Sequence, residues 1–404
     1  MDILPILSTL RRHKISALLV ILEIALTCAI VCNAVFLITK RIERTHMPSG
    51  IAEHELVMLN IFGIGRDDNG AARASEDLAL LRQIPGVKSV TLVNEVPFTN
   101  SSWNTGVSLT AEQKRSTLNA TQYFGEHLIE TFGLQLVEGR DFQPDEYMDF
   151  YDVQNSTKVR PAGVIITRSL AERLWPGQSA LGKQMFLGDS SVRVVGVVAA
   201  LIRPSIFGGD ETAQWSMIFP LRMDTRYASR YVIRTAPDQR DRVIAAAAKA
   251  LRGADPHRIL FRKGTLDEER AKFFRNDVAM SGLLSAVCAA LLIVTALGIV
   301  GLASFWVQQR TRMIGVRRAL GATRSQILRY FQTENFLLSS IGIALGMLAA
   351  WGVSLALMQH YELPQLPLAY LPGGALALWL LGQLAVWGPA RRASLIPPVE
   401  ALRS

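Results

Sequence analysis

The chain has 404 residues, 50% hydrophobic and 19% charged, with 43 Lys and Arg against 34 Asp and Glu for a net charge of +9. So apolar and weakly charged a composition excludes a disordered chain and points to a membrane protein or a very large core. A basic surplus also fits a polyanion-binding protein, so where the charge sits decides its meaning.

Uncharged runs of about 20 residues, enough to cross the hydrocarbon as helix, occur four times. The first, residues 15–39, follows an N-terminal segment (1–14) that carries Arg11, Arg12 and Lys14. It is longer than a signal-peptide core and runs into Lys40-Arg41 instead of small residues, so it reads as a retained anchor. Its single charge, Glu23, lies four residues before Thr27. Two readings stay open for this carboxylate: hydrogen bonding at a helix interface, or an intramembrane function.

Residues 40–277 contain no further span and read as one α+β domain. Strands are expected at Leu56–Phe62, Val87–Val93, Gly163–Thr167, Val192–Val198 and Tyr231–Arg234, and helices at Ala72–Ile84, Arg168–Trp175 and Asp241–Leu251. The segment Gly177–Gln184 falls one residue short of a phosphate-binding GxxxxGK[ST] loop. Gln184 stands where the Mg²⁺-binding hydroxyl belongs and a helix precedes the segment, so a turn is expected there. The six histidines are scattered, no HExxH or GxSxG occurs, and Cys28, Cys32 and Cys288 all fall within spans. No catalytic residue, metal or cofactor is therefore assigned to this chain.

Thr265-Leu-Asp-Glu268 has the form of a capping box, and no Pro or Gly follows until Gly282. A continuous helix is expected to rise from about 265 as a stalk into the second span, 278–309, in preference to the alternative of a break near Arg275. Next comes the Arg-rich segment 310–334. It places Met313, Val316 and Leu320 on one helical face and Arg312, Arg317 and Arg318 largely off it; Gly321 ends the helix, and a second capping box, Thr323 to Gln326, starts the next. From physics alone this short helix suits a lipid-interface element and a docking handle equally. The third span, 335–360, carries the small-residue stripe Gly342 and Gly346, suited to close helix packing. A loop, 361–371, leads to a fourth span, 372–388, expected to begin after Pro372-Gly373-Gly374, and a tail, 389–404.

Twelve Lys and Arg fall in the N-terminal segment, in 310–334 and in the tail, whereas residues 40–277 carry 31 basic and 29 acidic residues. The positive-inside rule then puts both termini in the cytoplasm and the large domain outside. The charge is topological, and no nucleic-acid partner is expected. The fold class is an integral membrane protein with four transmembrane α-helices in a 1+3 arrangement and a large α+β extracytoplasmic domain between the first and second.

Arg310-Thr-Arg-Met-Ile-Gly-Val-Arg-Arg-Ala-Leu-Gly-Ala322 and the ending Pro389 to Arg403 resemble signatures of the FtsX-like permease family, the type VII ABC transporter permeases of MacB type. Phe132-Gly-Leu, Glu138-Gly-Arg-Asp-Phe142, Leu174-Trp-Pro-Gly177, Leu181-Gly-Lys183 and Val194-Val-Gly-Val197 are similar to the MacB-type periplasmic core domain. The resemblance implies a bacterial inner-membrane permease that works as a dimer. Its helix at Arg310, Arg312, Met313, Ile314, Val316, Arg317, Arg318 and Leu320 would dock on an ABC ATPase that binds ATP and Mg, expected as a separate chain. ATP hydrolysis would then drive movement of the periplasmic domain, for export of a small molecule or peptide with a periplasmic adaptor and an outer-membrane channel. Regulation of a cell-wall hydrolase and extraction of lipoproteins are the family's alternatives. Met313 stands where the family motif usually has Glu, which raises a second, different permease as the dimer partner.

Overall fold

The computed structural model describes residues 14–63, 69–113, 115–156, 160–206, 209–228, 230–361 and 366–395. The expected N-terminal segment before Lys14, residues 362–365 of the loop 361–371 and the tail beyond 395 lie outside the described residues. The chain forms two compact units: residues 46–275, and residues 1–45 with 276–404.

In the 46–275 unit, strands Arg258–Thr265, Leu56–Gly63, Arg230–Thr235 and Val87–Val93, in that spatial order, make an antiparallel sheet. The two central strands carry buried residues on both faces, and period-2 alternation decides which residue goes where. Val57, Leu59, Val90 and Ile233 meet Leu81, Val243, Ala247 and Leu251 of helices Gly70–Arg82 and Arg240–Ala254 in one core. Leu56, Met58 and Val232 point the other way, into a cluster with Tyr123, Phe132, Ile165 and Leu266.

The unit also holds a seven-stranded mixed sheet and a two-stranded one. In the larger of these, strand Gly163–Thr167 is buried at all five positions, between antiparallel Ser216–Phe219 and parallel Ser190–Val198. The unbroken apolar run there is what an interior strand with two covered faces requires. Gly177 and Gly182 both adopt left-handed φ (+68° and +73°) in the connection from helix Arg168–Leu174 to strand Gln184–Leu187, so this segment is a turn.

Two buried polar clusters set this unit's sensitivity. Asp77 accepts from Arg258 Nη1 at 2.7 Å and from the Tyr231 hydroxyl at 2.5 Å, and the Asp77 and Arg258 side chains are only 1% and 6% exposed. Glu95 is fully buried; Ser101 donates to its Oε1 at 3.1 Å, while Oε2 lies 3.8 Å from Arg230 without a hydrogen bond. Burial holds the Glu95 carboxyl above its ordinary value of 4.5, against the opposing pull of Arg230, Ser101 and the Trp103 backbone. Because the folded pKa is the higher one, this group's stability contribution is present below about 4.5 and is lost as pH rises through the folded value. Glu95→Gln is therefore expected to raise the melting temperature of a 46–275 fragment at pH 8 and to flatten its decline between pH 5 and pH 8. An unchanged pH dependence in thermal unfolding would refute the assignment.

The chain enters this unit along residues 46–53 and leaves it along helix Leu266–Phe273, and Arg270 fastens the two together. Its guanidinium donates to Met47 O at 2.7 Å, pairs with Glu53 and lies over the rings of Phe98 and Phe274 at 5.3 and 5.6 Å. The next two carbonyls are also taken, Pro48 O by Gln214 Nε2 and Ser49 O by Ile202 N. The capping box forms as expected, with Glu268 N donating to Thr265 Oγ1 and Thr265 N to Glu268 Oε2. The helix it starts is not continuous with the second span, however. Phe274 leaves helical geometry (φ −89°, ψ 3°), and a new helix begins at Arg275. The Phe274 ring is buried edge-on against Phe98 and Phe273, an apolar contact that competes with helical continuity.

Among the described residues, the other unit has four helices long and apolar enough to cross a membrane: Lys14–Thr45, Arg275–Gln309, Arg324–Tyr361 and Tyr370–Leu395. The fourth begins at Tyr370, ahead of the expected break. Pro372 falls in its first turn, where its missing N–H would have no helical partner anyway. Leu18, Leu22, Leu26, Leu283, Val294 and Leu297 project outward, as lipid-facing side chains do.

Candidate functional site

The second membrane helix ends at Gln309, and Arg310 turns the chain with non-helical dihedrals (φ −107°, ψ 10°). The helix Thr311–Ala319 follows, and Gly321 stops it at φ +96°, a conformation that a side chain would strain. The third helix starts on the expected box, with Gln326 N donating to Thr323 Oγ1 and Thr323 N to Gln326 Oε1.

Two of the eight residues assigned to this segment from sequence point inward. Ile314 is 3% exposed and joins the apolar core of the bundle. Arg310 is buried as well, and its Nη1 donates to both Glu334 oxygens, at 3.0 and 2.7 Å. Arg318 is half-buried and donates to Ser394 O at 3.1 Å, and Arg317 lies 5.1 Å over the Tyr330 ring. Exposed are Arg312, Met313, Val316, Arg317 and Leu320, the last at 83%. A short helix anchored by one face and two arginines thus displays an apolar strip flanked by cations.

The helix-packing residues divide differently. A Cβ on Gly342 would lie 2.9 Å from Ile24, and one on Gly346 2.5 Å from Cys28 Cβ, so both glycines let the third helix close on the first. Thr27 does not pair with Glu23. Its hydroxyl meets that of Thr295 on the second helix at 2.8 Å, while the Glu23 carboxylate packs over Gly298 with Oε1 buried and without a hydrogen bond among the described residues. Sequence reasoning passed over two polar residues of the bundle. Asn33 donates to Ala29 O and to Ala350 O, both at 3.0 Å, and Glu334 takes Arg310. A carboxylate 24 positions from its arginine, in a different helix, leaves no local signal.

Four membrane-length helices, a large α/β domain after the first of them and a short Arg-rich surface helix after the second define a multi-pass membrane permease. The family model described as MacB-like periplasmic core domain matches residues 21–252, and that described as FtsX-like permease C-terminal matches residues 285–398. The chain belongs to this FtsX-like, MacB-type family of ABC transporter permeases of the inner membrane.

The macrolide export ATP-binding/permease protein MacB of Chromobacterium violaceum is 28% identical over 284 residues, covering 69% of this chain and 42% of that protein. The pyoverdine export ATP-binding/permease protein PvdT of Pseudomonas syringae pv. syringae is 26% identical over 343 residues, covering 81% and 48%. The chain thus spans about half the length of the curated relatives it matches. The crystal structure of the periplasmic region of MacB from Actinobacillus actinomycetemcomitans aligns with 55% of this chain and 94% of that one, at 17% identity and a TM-score of 0.34.

Proposed function

We propose that this permease docks its helix Thr311–Ala319 on a cytoplasmic ABC ATPase and converts ATP hydrolysis into movement of its periplasmic core domain, exporting a small molecule or peptide from the periplasm. The observation that carries this reading is the exposed strip Met313, Val316 and Leu320, held on a helix whose other face is fixed to the bundle. The relatives' names support it by joining ATP-binding to permease; in this reading ATP and Mg are bound by the ATPase. Macrolide and pyoverdine in those names favour small cargo.

In this reading both termini and the docking helix are cytoplasmic, because the Arg-rich segments lie there. A second permease subunit completes the pair, and Met313, at a position the family motif gives to Glu, favours a different chain. A periplasmic adaptor and an outer-membrane channel would carry the cargo onward. The test is affinity purification of the tagged chain from membranes of its native host, with mass spectrometry of what accompanies it. An ABC ATPase is expected, with a second permease and an adaptor. No ATPase would overturn the reading, and a cell-wall hydrolase in place of the adaptor would replace export by regulation.

A further inference from the structure

A helix of nine residues between two non-helical junctions is too short to hold its shape alone, since isolated helices below about 12 residues are marginal. Its geometry must come from anchors in the bundle. Ile314 supplies an apolar anchor, and Arg318 donates to Ser394 O. The third, Arg310 with Glu334, differs in kind: an ion pair with side chains 7% and 1% exposed, from the junction at the foot of the second membrane helix to the interior of the third. Such a pair costs its desolvation, and it persists only where geometry and extra hydrogen bonds repay it.

The surroundings are built for that. Arg310 also stacks 5.5 Å over the Trp306 ring. Beside the pair lies a cavity of about 20 Å³, lined among others by Trp306, Phe331, Glu334, Asn335 and Leu338. That is room for about one water molecule. Trp306 Nε1 and Asn335 Nδ2, both on residues lining the cavity, are buried and have no hydrogen-bond partner among the described residues, and the same holds for Arg310 Nη2. The donors of Trp306 and Asn335, the Glu334 carboxylate and a water-sized void complete one another.

We propose that Arg310 and Glu334, with a water held by Trp306 and Asn335, form a buried joint that makes the docking helix and the third membrane helix move as one body. The proposal rests on the docking reading for its purpose and on the bundle alone for its geometry. With the joint intact, displacement of Thr311–Ala319 passes into the third helix. From there it passes through the Gly342 and Gly346 contacts to the first helix, whose chain continues into the periplasmic domain at His46. With the joint broken, the docking helix behaves as a tethered loop that still binds and no longer drives. Arg310 and Glu334 are positioning residues, acting through the helix they hold.

The experiment uses the full-length permease with its co-purified ATPase, in lipid nanodiscs. Glu334→Gln is expected to retain bound ATPase at the wild-type ratio while stimulation of ATP hydrolysis falls about tenfold. The swap Arg310→Glu with Glu334→Arg is expected to recover most of it. Trp306→Phe, which removes one N–H and no charge, is expected to insert normally and lose part of the stimulation. Amide exchange over residues 311–319 in the permease alone reads the joint without any ATPase, and Glu334→Gln should accelerate it about tenfold. Wild-type exchange and stimulation in Glu334→Gln, or loss of bound ATPase in proportion to lost stimulation, would overturn the joint. Absence of any ATPase, with exchange still accelerated, would overturn the docking reading and leave the joint standing.

Discussion

Replacing Val316 by Asp is expected to abolish stimulation of the partner ATPase and to leave the permease in the membrane at its wild-type level. Val316 is 43% exposed at the middle of the strip formed with Met313 and Leu320, so the substitution disturbs nothing inside the bundle. Within a docked interface the new carboxylate would be desolvated without a partner, a penalty of about 3 kcal/mol. That weakens binding by about two orders of magnitude, enough to empty the site at ordinary concentrations. Leu320→Asp, at the most exposed position of the strip, should act in the same direction. The contrast with the lipid-interface reading is sharp: a helix resting on headgroups tolerates one carboxylate, and coupling would persist. Co-purification of the ATPase together with stimulated hydrolysis gives the answer, and wild-type values in both variants would remove the docking reading.

The second large effect is expected in the periplasmic domain. Asp77→Ala removes the carboxylate paired with the Arg258 guanidinium, 6% exposed, leaves the more distant Asp255 at 3.6 Å, and takes away an acceptor of the Tyr231 hydroxyl. Removing one member of a buried pair typically costs about 3 to 5 kcal/mol, because an uncompensated charge stays behind. For a domain of this size that lowers the melting temperature by about 10 °C. Asp77→Asn, which keeps an acceptor and loses the charge, should fall between the two. A melting temperature within about 1 °C of wild type in Asp77→Ala would show that solvent reaches Arg258 freely.

Much of this architecture could be read in advance, for identifiable reasons. Membrane spans announce themselves by length without charge, and each expected span lies on one of the four long helices. Strands covered on both faces, such as Gly163–Thr167 and Leu56–Gly63 with its nearly unbroken apolar run, were equally legible. Strands missed were those whose partners supply the order. Leu118–Phe124 mixes Asn, Thr and Gln with its apolar residues, and Asn104–Val107 is polar and lies at an edge. Arg258–Thr265 alternates, but with Arg and Lys among its side chains, and its pairing with Leu56–Gly63 crosses about two hundred residues, a distance no local pattern reports.

The same division runs through the candidate site. Capping boxes at Thr265 and Thr323 and the stop at Gly321 are local grammar, and all three appear in the structure. The direction each arginine takes is not local. Arg310, Arg312, Arg317 and Arg318 are alike as letters, and only the position of Glu334 and of the neighbouring helices turns Arg310 inward. The break at Phe274 has the same origin, an aromatic cluster assembled from distant parts of the chain.

The Arg270 contacts described above bring Met47 and Glu53, at the beginning of the periplasmic domain, within hydrogen-bonding reach of its last helix. A module whose two ends meet can be removed from its host without stretching either end, and chains with adjoining termini are the ones that tolerate transplantation. Residues 46–275 are thus a graftable cassette. Exchanging them as a block between two permeases of the family is therefore expected to give folded chimaeras, which the yield of membrane-inserted protein reads directly.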